Sequence, residues 1–189
     1  MNNIAIFASG SGTNAENIMH FFRTNPFGQV KLVLTNRADA LVVSRAQSND
    51  IEVVVFDKRQ LNESDEVLTI LKEREISFIV LAGFLWLVPP SILEAYENKI
   101  VNIHPALLPK YGGKGMYGKF VHEAVIRAGD RVSGITIHRV NQHYDEGDIL
   151  FQATCPVDPE DTPERLAEKI HQLEYEHFPK VIEQLLQEL

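Results

Sequence analysis

Three polar residues at element boundaries carry the chain's clearest case for chemistry. Asn102 and His104 stand in VNIHPALLP (101–109), where valine and isoleucine suit a strand and Pro105 and Pro109 forbid a regular element beyond it. Asp145 lies in HYDEGD, between two later strand-like runs. An amide donor, an imidazole and a carboxylate in one place can stabilise oxygen charge and move protons while the substrate's own nucleophile attacks. The carboxylate would favour the protonated ring. The competing reading is structural: Asn102 closes the turn, His104 satisfies backbone groups and Asp145 caps a hairpin. No activated serine or cysteine is indicated, since GxSxG and HExxH are absent and Cys155 has no partner by spacing. His138 and His143 lie near one another late in the chain, which is weak ground for a metal, and none is expected.

A second feature is S9-G-S-G-T-N14, between a first strand and a first helix. Glycines allow close backbone approach, and helix-start amides with hydroxyls hold phosphate or carboxylate. No GK[ST] follows, and the stretch is not GxGxxG, so an ATP site is poorly supported. The alternative is a tight turn capped by Thr13 or Asn14.

The elements that must position these residues alternate. NIAIFAS, VKLVLTN, VVVF, ISFIVLAGF and KIVNIH read as strands, separated by helical patterns such as AENIMHFFRT and LNESDEVLTILKERE. Strands without strict period-two polarity, alternating with helices, predict a mostly parallel twisted sheet with helices on both faces, a Rossmann-like α/β fold. FVHEAVIRAG reads as a helix ending at Gly129, and SGITIHRV and GDILFQATCPV as antiparallel strands added late at one edge. The closing DTPERLAEKIHQLEYEHFPKVIEQLL reads as helix, capped by Thr162 with Pro163 in its first turn, and Pro179 should bend or break it. Such a sheet delivers His104 and the 9–14 loop to its carboxyl edge, where open α/β folds bind ligands. The segment 105–119, long, glycine-rich and patternless, reads as a functional loop. His20 and His171 read as helix-face residues, His122 and His138 stay undecided, and Met116, Tyr117 and Trp86 are candidate pocket walls.

The whole chain, 1–189, reads as one domain of ordinary globular composition: 44% hydrophobic, 23% charged, with a mean hydropathy of −0.11. The formal charge of −8 discourages nucleic-acid binding. A single cysteine and a start without a basic, apolar leader predict a cytoplasmic protein with no membrane segment.

FASGSGTN, LAGFLWLVP, VNIHPALLPKYGG and SGITIHRVNQHYDEGDIL, in this order along essentially the whole chain, resemble the phosphoribosylglycinamide formyltransferase family of the folate-dependent type. The resemblance implies the single-domain formyltransferase fold and transfer of the formyl group of 10-formyltetrahydrofolate to the amino group of glycinamide ribonucleotide. It implies catalytic roles for Asn102, His104 and Asp145: the ring and amide stabilise the oxyanion, and Asp145 keeps His104 charged and assists proton transfer. It also implies that Gly12, Thr13 and Asn14 bind the phosphate and Glu174 the ribose. Arg59, Leu85, Trp86, Leu87, Val88, Asn102, Asn141 and Tyr144 would bind the folate. It implies no metal, and a monomer or a homodimer.

Departures from the family pattern fall at Trp86, where an arginine is common, and in GGKGMYGKFVHEA, which resembles a variant branch in which His122 stands for a loop histidine. The rival readings are a methionyl-tRNA formyltransferase, which would add a tRNA-binding domain; a formyltetrahydrofolate hydrolase; and a phosphometabolite-binding protein without chemistry.

Overall fold

The computed structural model describes residues 1–189. Its centre is a seven-stranded sheet built from β1 (Asn2–Phe7), β2 (Gly28–Thr35), β3 (Glu52–Val55), β4 (Phe78–Leu81), β5 (Ile100–His104), β6 (Val132–Arg139) and β7 (Ile149–Pro156). The spatial order is β3-β2-β1-β4-β5-β6-β7. The first five run parallel, while β6 is antiparallel to both β5 and β7.

The apolar runs fill two cores because each strand sends alternate residues to opposite faces. Ile4 and Ile6 of β1, Val33 of β2 and Phe78 and Val80 of β4 enter one core. Ala5 and Phe7, Leu32 and Leu34, and Ile79 and Leu81 enter the other. The first core is roofed by α1 (Thr13–Phe22), α2 (Leu41–Ser48), α6 (Lys119–Ala128) and α7 (Pro163–Gln187). The second is covered by α3 (Lys58–Asn62), α4 (Glu66–Glu73) and α5 (Pro90–Ala95).

Two helix expectations need correction. LNESDEVLTILKERE is not one helix: an Asp57–Gln60 capping box starts α3, which ends at Asn62 with Glu63 as its C-cap, and α4 begins afresh after Asp65. Pro179 does not end α7, which continues to Gln187. Proline at 179 cannot donate to the carbonyl of Tyr175 four residues earlier, and Asn17 Nδ2 of α1 donates to that carbonyl instead, at 3.0 Å. The orphaned acceptor thereby becomes an α1–α7 contact. Thr162 caps α7 as expected, accepting from the Arg165 amide, and Gly129 closes α6 in a left-handed conformation. No helix is long and apolar enough to cross a membrane.

Candidate active site

The strand order reverses between β1 and β4, and the connections leaving the carboxyl ends of β1, β4 and β5 border one cleft of about 700 Å³. Residues 9–14 follow β1 and lead into α1. Gly12 takes the helix N-cap position at φ 74°, and a Cβ there would lie 2.5 Å from Val42 Cβ. Neither Thr13 nor Asn14 caps the helix: no side chain does, so the first-turn amides face the cleft without a competitor. Arg45 of α2 braces this loop, its Nε donating to the Ser11 carbonyl at 2.9 Å while its guanidinium pairs with Glu16. Buried Ser9 accepts from the Leu85 amide at 3.1 Å and so ties the loop to the segment after β4.

β5 places Asn102 and His104 on the cleft side of its end, and the β6–β7 connection returns Asp145 to them. His104 is 3% exposed. Its Nε2 lies 2.7 Å from the Tyr111 carbonyl, and its Nδ1 lies 3.5 Å from Asp145 Oδ2. A carbonyl only accepts, so Nε2 carries a hydrogen and Nδ1 is the exchangeable position. Asp145 sits at φ 58° and accepts from the Gly113 amide at 3.0 Å. Burial pushes its carboxyl up, but the neighbouring His138 and His104 rings and the Gly113 amide together hold it below the usual carboxylate range.

Two influences on the His104 ring oppose each other. Burial pushes the imidazole down, and outweighs the upward pull of Asp145 and of the Tyr111 carbonyl. Its two acceptor neighbours, the Tyr111 carbonyl and Asp145, are placed to stabilise the cation when a proton arrives.

His138 completes the group. It stands opposite Asn102 in the antiparallel β5–β6 register, accepts from Asn102 Nδ2 at 3.1 Å and lies 3.6 Å from Asp145 Oδ1. Its Nδ1 donates to the Arg139 carbonyl at 2.8 Å, which leaves Nε2 as the acceptor. The other Asn102 hydrogen reaches Asp145 Oδ1 at 3.5 Å, long enough to be redirected.

At the end of the cleft next to the 9–14 loop, Glu174 of α7 is 5% exposed, with Oε2 accepting from Asn14 Nδ2 at 2.9 Å and lying 2.9 Å from His171 Nδ1. His171 is therefore a cleft residue, not merely a helix-face one, and Glu174 raises its pKa. Asn14 Oδ1 and buried His122 Nδ1 have no hydrogen-bond partner in the protein. Burial holds His122 below the usual imidazole range.

The opposite wall is apolar. Leu85 and Leu87 are each 39% exposed, Val88 is buried, and Trp86 packs edge-on against Phe56 and Phe84. Asn141, Tyr144 and Arg37 also line the cleft. Arg59 is not brought here: it sits on α3 with its guanidinium engaged by Glu66 at 3.0 Å, outside the cleft lining.

Fold and site place the chain among α/β enzymes that bind at a sheet's switch point, and comparison with known proteins narrows the class. The family model described as formyl transferase matches residues 2–182. The chloroplastic phosphoribosylglycinamide formyltransferase of Arabidopsis thaliana is 40% identical over 191 residues, 98% of this chain and 65% of that protein. The chain thus spans about two thirds of that relative, and 61% of the chloroplastic phosphoribosylglycinamide formyltransferase of Vigna unguiculata. The Bacillus subtilis phosphoribosylglycinamide formyltransferase is 34% identical, with 98% of this chain and 95% of that one covered. The crystal structure of the phosphoribosylglycinamide formyltransferase from Bacillus halodurans is 41% identical and superposes with a TM-score of 0.87 over 98% of this chain and 95% of that one. The chain belongs to the phosphoribosylglycinamide formyltransferase family.

Proposed function

We propose that this cleft transfers a formyl group from 10-formyltetrahydrofolate to the amino group of glycinamide ribonucleotide, giving the formylated ribonucleotide and tetrahydrofolate. The observation that carries the reading is that the uncapped start of α1 and the Asn102–His104–Asp145 group share one cleft in a chain of this family. The donor set fits both ligands. A flat heterocycle suits the apolar wall of Leu85, Trp86, Leu87 and Val88 with the polar rim of Asn141 and Tyr144. A phosphate suits Gly12, Thr13 and Asn14 at the start of α1, and sugar hydroxyls suit Glu174 and the unpartnered Asn14 Oδ1.

When bound, the folate supplies a formyl group carried on nitrogen. The chain's residues orient the amine and manage protons and charge. Neutral His104 takes a proton at Nδ1 as the attacking amine becomes acidic, and the Asp145 carboxylate stabilises the resulting imidazolium. The charged ring and the redirected Asn102 hydrogen then meet the negative charge growing on oxygen. Asp145 and His104 return the proton to the leaving nitrogen. His138 fixes the Asn102 amide throughout.

The test is donor turnover by purified protein with and without glycinamide ribonucleotide. Turnover and formylated product should both require the ribonucleotide. Folate release at equal rate without an amine would make the protein a hydrolase and overturn the proposal.

A further inference from the structure

His122 lines the cleft, yet neither of its ring nitrogens is used by the protein. The residue stands in the first turn of α6, which packs against α7, and is 4% exposed. Nδ1 is sealed and has no hydrogen-bond partner. Nε2 also bonds to no protein group, but unlike Nδ1 it is not sealed. A buried polar group without a partner costs stability, so a histidine kept in this position calls for a use outside the fold.

The ring's one hydrogen has a preferred place. Burial disfavours a second proton. A hydrogen on Nδ1 would be a buried donor with no acceptor, the rarer and costlier arrangement. The hydrogen therefore belongs on Nε2, where it makes His122 a neutral donor at the cleft surface.

Its neighbours fix which part of a ligand it meets. His171, Glu174 and His104 are all close enough to bear on the ionisation of His122. Glu174 belongs to the end of the cleft next to the 9–14 loop, through Asn14, and His104 to the catalytic group at the end of β5. His122 thus borders the interval between these two ends. Glycinamide ribonucleotide is built in the same order: phosphate, ribose, amide, methylene, amine. With its phosphate at the start of α1 and its amine at His104, the amide spans that interval, and its carbonyl oxygen is the acceptor a single N–H would meet.

We propose that His122 is a further substrate-binding residue, whose Nε2–H donates to the amide carbonyl oxygen of the ribonucleotide and so favours it over a sugar phosphate without that amide. The assignment rests on the function proposed above.

The test is calorimetric binding of glycinamide ribonucleotide and of ribose 5-phosphate to the native full chain, to His122→Phe and to His122→Gln. Phenylalanine keeps a ring and removes the nitrogens, so the thermal midpoint of the free protein should not fall; a clear fall would make the nitrogens structural and overturn the proposal. His122→Phe should weaken glycinamide ribonucleotide by about threefold to tenfold, the worth of one hydrogen bond, and leave ribose 5-phosphate unchanged. His122→Gln, which keeps a donor, should recover part of the loss. Equal weakening of both ligands, weakening of neither, or no recovery in His122→Gln would overturn the amide contact while leaving the proposed function standing. A native protein that binds neither ligand would overturn that function, and the contact with it. Nitrogen resonances of the His122 ring give an independent reading: the hydrogen should sit on Nε2 in the free protein, and a hydrogen on Nδ1 would overturn the donor assignment.

Discussion

Replacing Asp145 by asparagine isolates a single charge in the proposed mechanism. The residue sits at φ 58°, a conformation that asparagine adopts readily, so the backbone need not move. With its one oxygen at the Oδ2 position, asparagine still accepts from the Gly113 amide, and only the long 3.5 Å contact from Asn102 to Oδ1 is lost. What disappears is the carboxylate 3.5 Å from His104 Nδ1, in a pair whose side chains are only 4% and 10% exposed. At an effective dielectric of about 20, one unit pair at that distance is worth about 5 kcal/mol. The pair exists only while His104 carries the proton, so the loss falls on the barrier and not on ground-state binding. At about 1.36 kcal/mol per decade, kcat should fall by about three orders of magnitude. Ribonucleotide affinity should stay within about threefold, because the phosphate loop is untouched. The His104 ring should also titrate at still lower pH, since Asp145 is the strongest influence raising its pKa. Steady-state transfer at saturating substrates, with calorimetric ribonucleotide binding, reads the first two quantities. A loss of kcat below about tenfold, or one explained by lost affinity, would refute the reasoning.

Other outcomes follow from the same geometry. Arg45→Ala should raise the ribonucleotide KM several-fold with kcat little changed, because it frees Ser11 and leaves Glu16 uncompensated near the phosphate loop; adding Glu16→Gln should recover part of the loss, and no recovery in the double variant would refute the charge argument. Gly12→Ala meets both the left-handed cost, about 1–2 kcal/mol, and Val42, so denaturant unfolding should show at least that loss, together with weaker ribonucleotide binding. Asn17→Ala uncovers the Tyr175 carbonyl and should cost about 1 kcal/mol in the same unfolding assay. His104 and His122 both have folded pKa values below the ordinary 6.5, so the unfolded chain takes up protons that the fold refuses, and stability should fall as pH drops through 6.5. His171 has the opposite sign: its contribution is complete below 6.5 and fades as pH rises through its raised value. Unfolding series for His122→Gln and His171→Gln should flatten these two limbs separately, and unchanged limbs would refute the assignments.

The sheet was legible because burial on both faces writes continuous apolar strands, and because alternation with helices admits few topologies. Asn102, His104 and Asp145 stood out as polar groups at strand ends. His138 was harder to see: in ITIHRV it looks like one polar residue on an edge strand, and only the β5–β6 register sets it opposite Asn102. Glu174 and His171 had a readable signal. Leu166, Ile170, Phe178, Ile182 and Leu186 mark the buried stripe of α7, and Glu174 interrupts it where another apolar residue belongs, with His171 three positions earlier. Pro179 misled because local rules ask who donates to residue 175, and the donor is Asn17, on another helix. Arg59 misled because position in the chain does not reveal its partner Glu66. The separate helix α3 was written in Asp57 and Gln60, a capping box just ahead of what reads as one amphipathic run, which starts a helix too early for Leu61 to begin it.

The most direct measurement is transfer of a labelled formyl group from 10-formyltetrahydrofolate to glycinamide ribonucleotide by the native protein and by His104→Ala, under identical saturating conditions. The account predicts formylated ribonucleotide with the native protein, and a rate reduced by at least about two orders of magnitude in a variant that stays folded and still binds the ribonucleotide. Product formed equally fast by the variant, or none by the native protein, would contradict it.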